Sequence, residues 1–361
     1  TQDYHRTSKD FTFHARPTHP EGKREVYVMV IGETSRALNW QLYGYERETT
    51  PLLSRQTGLI AFPKVLTESN TTHKSVPMLM SDATACNYDS IYHQKGIITA
   101  FKEAGFRTAF FSNQRYNHSF IDFFGMEADT YDFIKEDSVS STYNPSDDEL
   151  LKLAKGATKQ FIVLHTYGSH FNYRERYPSE DAFFTPDYPM EAERKYRDNL
   201  VNAYDNSIRY TDDFLSRLIR MLEKQQVDAA MLYTSDHGED IFDDSRHLFL
   251  HASPVPSYYQ LHVPFLIWMS DDYRETYPER WNTAIENKDK NVSSSSSFFP
   301  TMLSLGGIET PYRDDSQAVT ASHYVLKPRV YLNDHNDPRP LDDLGMKKQD
   351  FQMLEKRNIK Y

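Results

Sequence analysis

Met231–Asp240 reads MLYTSDHGED, a short apolar run that breaks at once into Asp236, His237, Gly238 and Glu239. A continuous apolar run of this length fits a strand buried on both faces. The acids and the imidazole that follow cannot be buried without partners. A carboxylate beside an imidazole where a strand ends makes a ligand pair for a divalent metal, and Gly238 permits a tight turn beneath it. The competing reading is a helix N-cap, with Asp236 on backbone amides. Whether other strand ends offer matching ligands decides between the two.

They do. Glu25–Ile31 (EVYVMVI) is a second apolar run, and it delivers Gly32-Glu33-Thr34-Ser35-Arg36. Gln160–Leu164 (QFIVL) is a third, ending in His165-Thr166-Tyr167-Gly168-Ser169-His170, with two candidate ligand histidines. Arg107–Phe111 ends in Ser112-Asn113-Gln114-Arg115. Further strands are expected over Ala61–Leu66, Val263–Met269 and Arg329–Leu332. Helices are expected over Leu52–Gln56, Val76–Met80, Gly96–Ala104, Glu149–Leu153 and Glu191–Gln226. The last carries an apolar stripe of Leu200, Tyr204, Ile208, Thr211, Phe214, Leu215, Leu218 and Leu222 and reads as scaffold. Glu275–Val292 reads as a polar excursion. The serines Ser293–Ser297 read as the lead-in to a helix over Phe298–Leu305. This alternation predicts an α/β fold, a mainly parallel central sheet flanked by helices on both faces. Ligands bind at the carboxyl ends of the strands in such sheets, and Glu33, Asp236-His237 and His165/His170 all stand there.

The chain has 361 residues and a formal net charge of -11 with no Lys/Arg-rich face, which argues against nucleic acid as a partner. One cysteine, Cys86, excludes an intrachain disulfide. No run of about 18 apolar residues is present. Residues 1–24 are polar and read as a linker, residues 25–333 as the catalytic domain, and residues 334–361 as a charged C-terminal tail.

Glu33, Asp236 and His237 supply two oxygens and a nitrogen, a set suited to Zn²⁺ with one position left for a hydroxyl. Thr67 to Ser75 is rich in hydroxyls at a helix entrance. That is ordinary capping chemistry, but it also offers Thr71 or Thr72 as a nucleophile beside free helix amides suited to phosphate. His170, His251, His118 and Lys74 are candidate partners for phosphoryl oxygens, with Asn113 a further binding candidate.

With these residues in place, the chain resembles the phosphoethanolamine transferases of the alkaline phosphatase/sulfatase superfamily. That group contains the lipid A modifying enzymes behind polymyxin resistance. The matching stretches are VIGETSR (Val30–Arg36), YGYERETTP (Tyr43–Pro51), TTHKSVPM (Thr71–Met78), HTYGSH (His165–His170), YDNSIRYTD (Tyr204–Asp212), SDHGE (Ser235–Glu239) and LHASP (Leu250–Pro254). The resemblance implies that Glu33, Asp236 and His237 bind a catalytic zinc, with Thr72 as nucleophile and fourth ligand. It implies that His170 and His251 bind the substrate phosphate and in some members a second metal. His118 stands nearest to the family's loop lysine.

It implies further that phosphatidylethanolamine is the donor, that a phosphoethanolamine–Thr72 intermediate forms, and that a lipid or glycan acceptor, lipid A above all, then takes the group. The implied setting is the periplasmic face of the bacterial inner membrane, with the domain held there by a preceding transmembrane segment and acting as a monomer. A phosphoglycerol transferase or phosphodiesterase of the same superfamily is the alternative. Formylglycine-based sulfate-ester hydrolysis is not, since it needs Cys or Ser in C/S-x-P-x-R and Cys86 lies in TACNYDS.

Overall fold

The structure, a computed structural model, describes residues 7–133 and 158–361. Its centre is a seven-stranded sheet. In chain order the strands are β1 (Glu25–Gly32), β2 (Leu59–Ala61), β3 (Arg107–Ser112), β4 (Thr130–Phe133), β5 (Lys159–His165), β6 (Asp228–Ser235) and β7 (Phe265–Met269). They lie in the order β2-β7-β6-β1-β5-β3-β4. The five strands from β6 to β4 run parallel, while β7 pairs antiparallel with β6 at one edge and β2 pairs antiparallel with β7, so that β7 alone runs against the others. The sheet is therefore mixed at that edge, since an apolar run such as Val263–Met269 carries no mark of direction.

Alternate residues feed two separate cores, which is why the central strands are apolar without interruption. Val26, Val28 and Val30 face one side with the long helix Arg197–Gln225, whose expected stripe is buried throughout. Tyr27, Met29 and Ile31 face the other, with helices α1 (Thr72–Leu79), Ile97–Glu103 and Ser294–Leu305.

Several local expectations need correction. The run Ala61–Leu66 divides at Pro63, which has no N–H for a ladder. Val65–Leu66 pairs instead with Val292–Ser293. The excursion Glu275–Val292 contains the helix Pro278–Asn287, which buries Ala284 and Asn287. Four of the five serines lie inside the helix Ser294–Leu305. Arg329–Leu332 is no part of the main sheet, because Val330–Leu332 pairs with Pro338–Pro340. The helix expected over Glu149–Leu153 lies outside the described residues.

Residues 334–361 include the helix Lys348–Lys356. Leu341, Met346, Leu354 and Ile359 there join Tyr258, Tyr259 and Leu261 in a third apolar cluster. Phe13 is fully buried and Arg16–Pro17 pairs with Ile308–Glu309, so residues 7–24 are built into the fold.

Candidate functional site

β1 and β6 are neighbours in register, with Gly32 opposite Ser235, so the residues after each strand emerge side by side. The N–H of Asp236 donates to Gly32 O at 3.0 Å and locks the two ends together. One ligand atom each from Glu33, Asp236 and His237 lies within 4.8 Å of the others, and all three residues are buried. Thr72 opens α1 from across the cleft. Its Oγ1 is 2.7 Å from Glu33 Oε1, 2.9 Å from Asp236 Oδ2 and 3.2 Å from His237 Nε2. Neither Thr71, the residue before the helix, nor Thr72 spends its hydroxyl on a helix cap. Ser75 Oγ donates to Asp236 O at 2.7 Å and pins the helix to the same loop.

The remaining atoms of the three residues are committed elsewhere, which is what a metal site requires. Asp236 Oδ1 accepts from the N–H groups of Thr34 (3.0 Å) and His237 (2.8 Å), leaving Oδ2 for the centre. His237 Nδ1 donates to Gly238 O at 2.7 Å, so the proton resides there and Nε2 presents a lone pair. Glu33 Oε2 takes a hydrogen bond from Gln114 Nε2 at 3.2 Å. Burial, with the adjacent Asp236 carboxylate, pushes Glu33 above the usual carboxylate range, and burial does the same to Asp236. Burial and the nearby His251 hold His237 neutral, down to about 3. Two carboxylates and a neutral imidazole facing one point out of water are costly without a cation. The donor set fits Zn²⁺.

Two glycines make the assembly possible. A side chain on Gly238 would meet Tyr259 O at 2.2 Å, and one on Gly168, at φ +54, would meet Glu33 O at 2.6 Å.

His251 stands beside the centre, its ring 4.1 Å from that of His237 and 6.4 Å from that of His170. Its Nδ1 bonds to Glu239 Oε1 at 2.7 Å, and Tyr173 OH donates to the other Glu239 oxygen. Burial opposes a charge on His251, but the Glu239 hydrogen bond and carboxylate raise it above an ordinary histidine. His170 buries an Nδ1 without a partner. His165 is held about 4 by burial and sits behind Glu33 through Gln114.

The other expected binding residues have contacts of their own. His118 is exposed and stacks edge-on with Tyr116. Lys74 Nζ donates to Asn333 O at 3.1 Å. Asn113 is buried, its backbone N–H on His165 O. Cys86 is exposed and lines a separate cavity with Glu68 and Ser296.

Sequence reading missed several supports. Arg36 forks onto Asp243 at 2.8 and 2.9 Å and donates to Glu239 O. Gln260 is the hub of a buried network: its Oε1 accepts from Asn70 (2.7 Å), its backbone O from Gly238 N (2.8 Å), and its Nε2 donates to Asp240 (2.5 Å). Tyr204, on the helix read as scaffold alone, accepts from Arg36 N and donates to Thr34 O. In sequence an amide or a tyrosine carries no mark of such a role. Arg36 had one signal, its place in GETSR directly after a ligand.

The sulfatase family's sequence profile matches residues 25–308. Phosphoethanolamine transferase EptA of Salmonella typhimurium is 30% identical over 316 residues, covering 83% of this chain and 56% of that protein. The chain thus spans little more than half the length of the curated relatives it matches. The soluble domain of lipooligosaccharide phosphoethanolamine transferase A from Neisseria meningitidis is 29% identical with a TM-score of 0.73, covering 84% of this chain and 95% of that one. The C-terminal periplasmic domain of EptC from Escherichia coli, solved in complex with Zn, is 24% identical with a TM-score of 0.79, covering 93% and 97%; that likeness establishes the fold alone.

Proposed function

The chain belongs to the sulfatase family, and from its likeness within that family to named phosphoethanolamine transferases we propose that it transfers phosphoethanolamine from phosphatidylethanolamine to an envelope acceptor, with Thr72 as nucleophile. The observation that carries this is the Thr72 hydroxyl, held within 3.2 Å of all three inward-facing ligand atoms. A zinc ion held by Glu33, Asp236 and His237 supplies positive charge beside that hydroxyl and the phosphoryl oxygens.

In the first half-reaction Thr72 Oγ1 loses its proton to solvent and forms a bond to phosphorus, and the bond from phosphorus to the diacylglycerol oxygen breaks. The Nδ1 side of His251 is occupied by Glu239, so its Nε2 is the atom placed to give the leaving oxygen a proton. His170, its ring 6.4 Å from that of His251, is the proposed partner of a phosphoryl oxygen. In the second half-reaction a hydroxyl or phosphate of the acceptor attacks phosphorus, its proton passing to His251, and the bond from phosphorus to Thr72 Oγ1 breaks, with Thr72 taking back a proton from solvent. Lipid A or another lipopolysaccharide sugar is the proposed acceptor, supported by the relatives' names, and the periplasmic face of the inner membrane the proposed place. Membership in the family does not bring sulfate-ester hydrolysis, because a threonine holds the nucleophile's position.

Incubation with phosphatidylethanolamine is expected to add one phosphoethanolamine mass to the protein, localised to Thr72, with release of diacylglycerol. Diacylglycerol released from phosphatidylglycerol instead would establish the phosphoglycerol reading. A preparation with neither product sinks both. Chelation is expected to stop transfer and lower the Tm by roughly 3–4 °C, since a ligand at about a hundred times its Kd adds about 2.7 kcal/mol. Calorimetry with and without EDTA checks it, and a Tm that does not respond counts against a metal at this site.

A further inference from the structure

We propose that Gln114 is a positioning residue that fixes which oxygen of Glu33 faces the metal, and that His165 supports Gln114 instead of binding metal itself. This rests on the metal reading above. Gln114 Nε2 lies 3.2 Å from Glu33 Oε2, 3.0 Å from Thr166 O and 3.0 Å from His165 Nε2. A carboxylate and a carbonyl only accept, so the amide must turn its NH₂ end toward them. With Oε2 engaged there, Oε1 is the oxygen left to face Thr72 at 2.7 Å.

Two N–H hydrogens face three acceptors, so one N–H is shared between two of them, and His165 Nε2 must be unprotonated because an amide NH₂ accepts nothing. That is the tautomer with its proton on Nδ1, 3.5 Å from Ser112 Oγ. Ser112 Oγ in turn accepts the backbone N–H of Gln114 at 3.1 Å, and Asn113 N donates to His165 O at 2.9 Å. Gln114 thereby joins the ends of β3, β5 and β1 through one side chain. Glu33 is 1% exposed, so no water replaces the amide if it is lost. A buried carboxylate deprived of its outer donor is free to turn and must bear an unpaired oxygen.

Partners of this kind are worth about 10- to 100-fold in metal affinity. Gln114→Met keeps the length and bulk of the side chain and removes only the donor. Zinc titration against a chromophoric chelator is expected to show affinity weakened about 10- to 100-fold, with the Thr72 adduct recovered at saturating zinc. A zinc Kd within twofold of wild type overturns the role of Gln114 alone. Should Gln114→Met lower the metal-free Tm, Gln114→Asn decides: it retains the amide one methylene short of Glu33, and wild-type affinity there overturns the proposal. A wild-type protein that binds no zinc overturns the metal reading and this inference together.

Discussion

Thr72→Ala is expected to abolish the phosphoethanolamine adduct and to cut transfer by on the order of 10³- to 10⁶-fold, the range seen when a covalent nucleophile is removed. The hydroxyl is the only part of the side chain that touches the three ligand atoms, and its loss leaves the ligands and the helix in place. Thr72 is half-buried at the first position of α1, so the fold should survive with a near-normal Tm. Thr72→Ser keeps the oxygen and is expected to keep an adduct detectable by intact mass. Thr72→Ala turnover within tenfold of wild type would end the covalent proposal, and an adduct found on another residue would relocate it.

Arg36→Met should cost about 3 kcal/mol of folding free energy, because it leaves the buried Asp243 carboxylate with only the longer contact to Arg197, at 3.4 Å, as a charged partner. Arg36 is 2% exposed and spends its guanidinium on Asp243, Asn39 and Glu239 O. Lysine is no substitute, having no fork to grip both carboxylate oxygens. Burial alone would raise the Asp243 pKa, but the Arg36 charge and hydrogen bonds outweigh it and hold it below the usual range.

A depressed folded-state pKa contributes stability that is present above the unfolded value, about 3.9, and lost as pH falls through the folded one. The Tm gap between wild type and Arg36→Met should therefore be full at neutral pH and close on acidification below about pH 4. Thermal melts at several pH values check this, and a gap that holds constant into strong acid refutes the ion pair as its source. The same variant should slow transfer, since Glu239 O is one of its contacts and Glu239 orients His251.

The candidate ligand set was legible because two apolar strands each break into groups that cannot be buried alone. Glu33, Asp236 and His237 needed only the rule that parallel sheets gather their ligands at one edge. Thr72 was not separable from Thr71 by residue chemistry, since both follow a loop of hydroxyls; the family resemblance chose Thr72, and it is Thr72 whose oxygen lies at the centre. His165 looked as good a ligand as His170, but it ends β5 itself and is turned behind Glu33, one layer out. Gln114 and Gln260 were invisible because an amide becomes informative only when its neighbours from other strands are known. The direction of β7 was hidden for a related reason: the residues facing both cores look alike whichever way a buried strand runs.

The loop that presents His237 rests its backbone on the turn Tyr258–Leu261, through Gly238 N to Gln260 O and Glu239 N to Tyr259 O. That turn is itself held by Asp350, which takes the N–H of Tyr258 at 2.9 Å and both arms of Arg246. During biosynthesis the acids and the imidazole therefore emerge more than a hundred residues before the segment that braces them. Until that late segment docks, a nascent polypeptide displays the right ligands in an unfinished grip. A chain ending short of Asp350 would carry every proposed site residue without this brace on the turn beneath them.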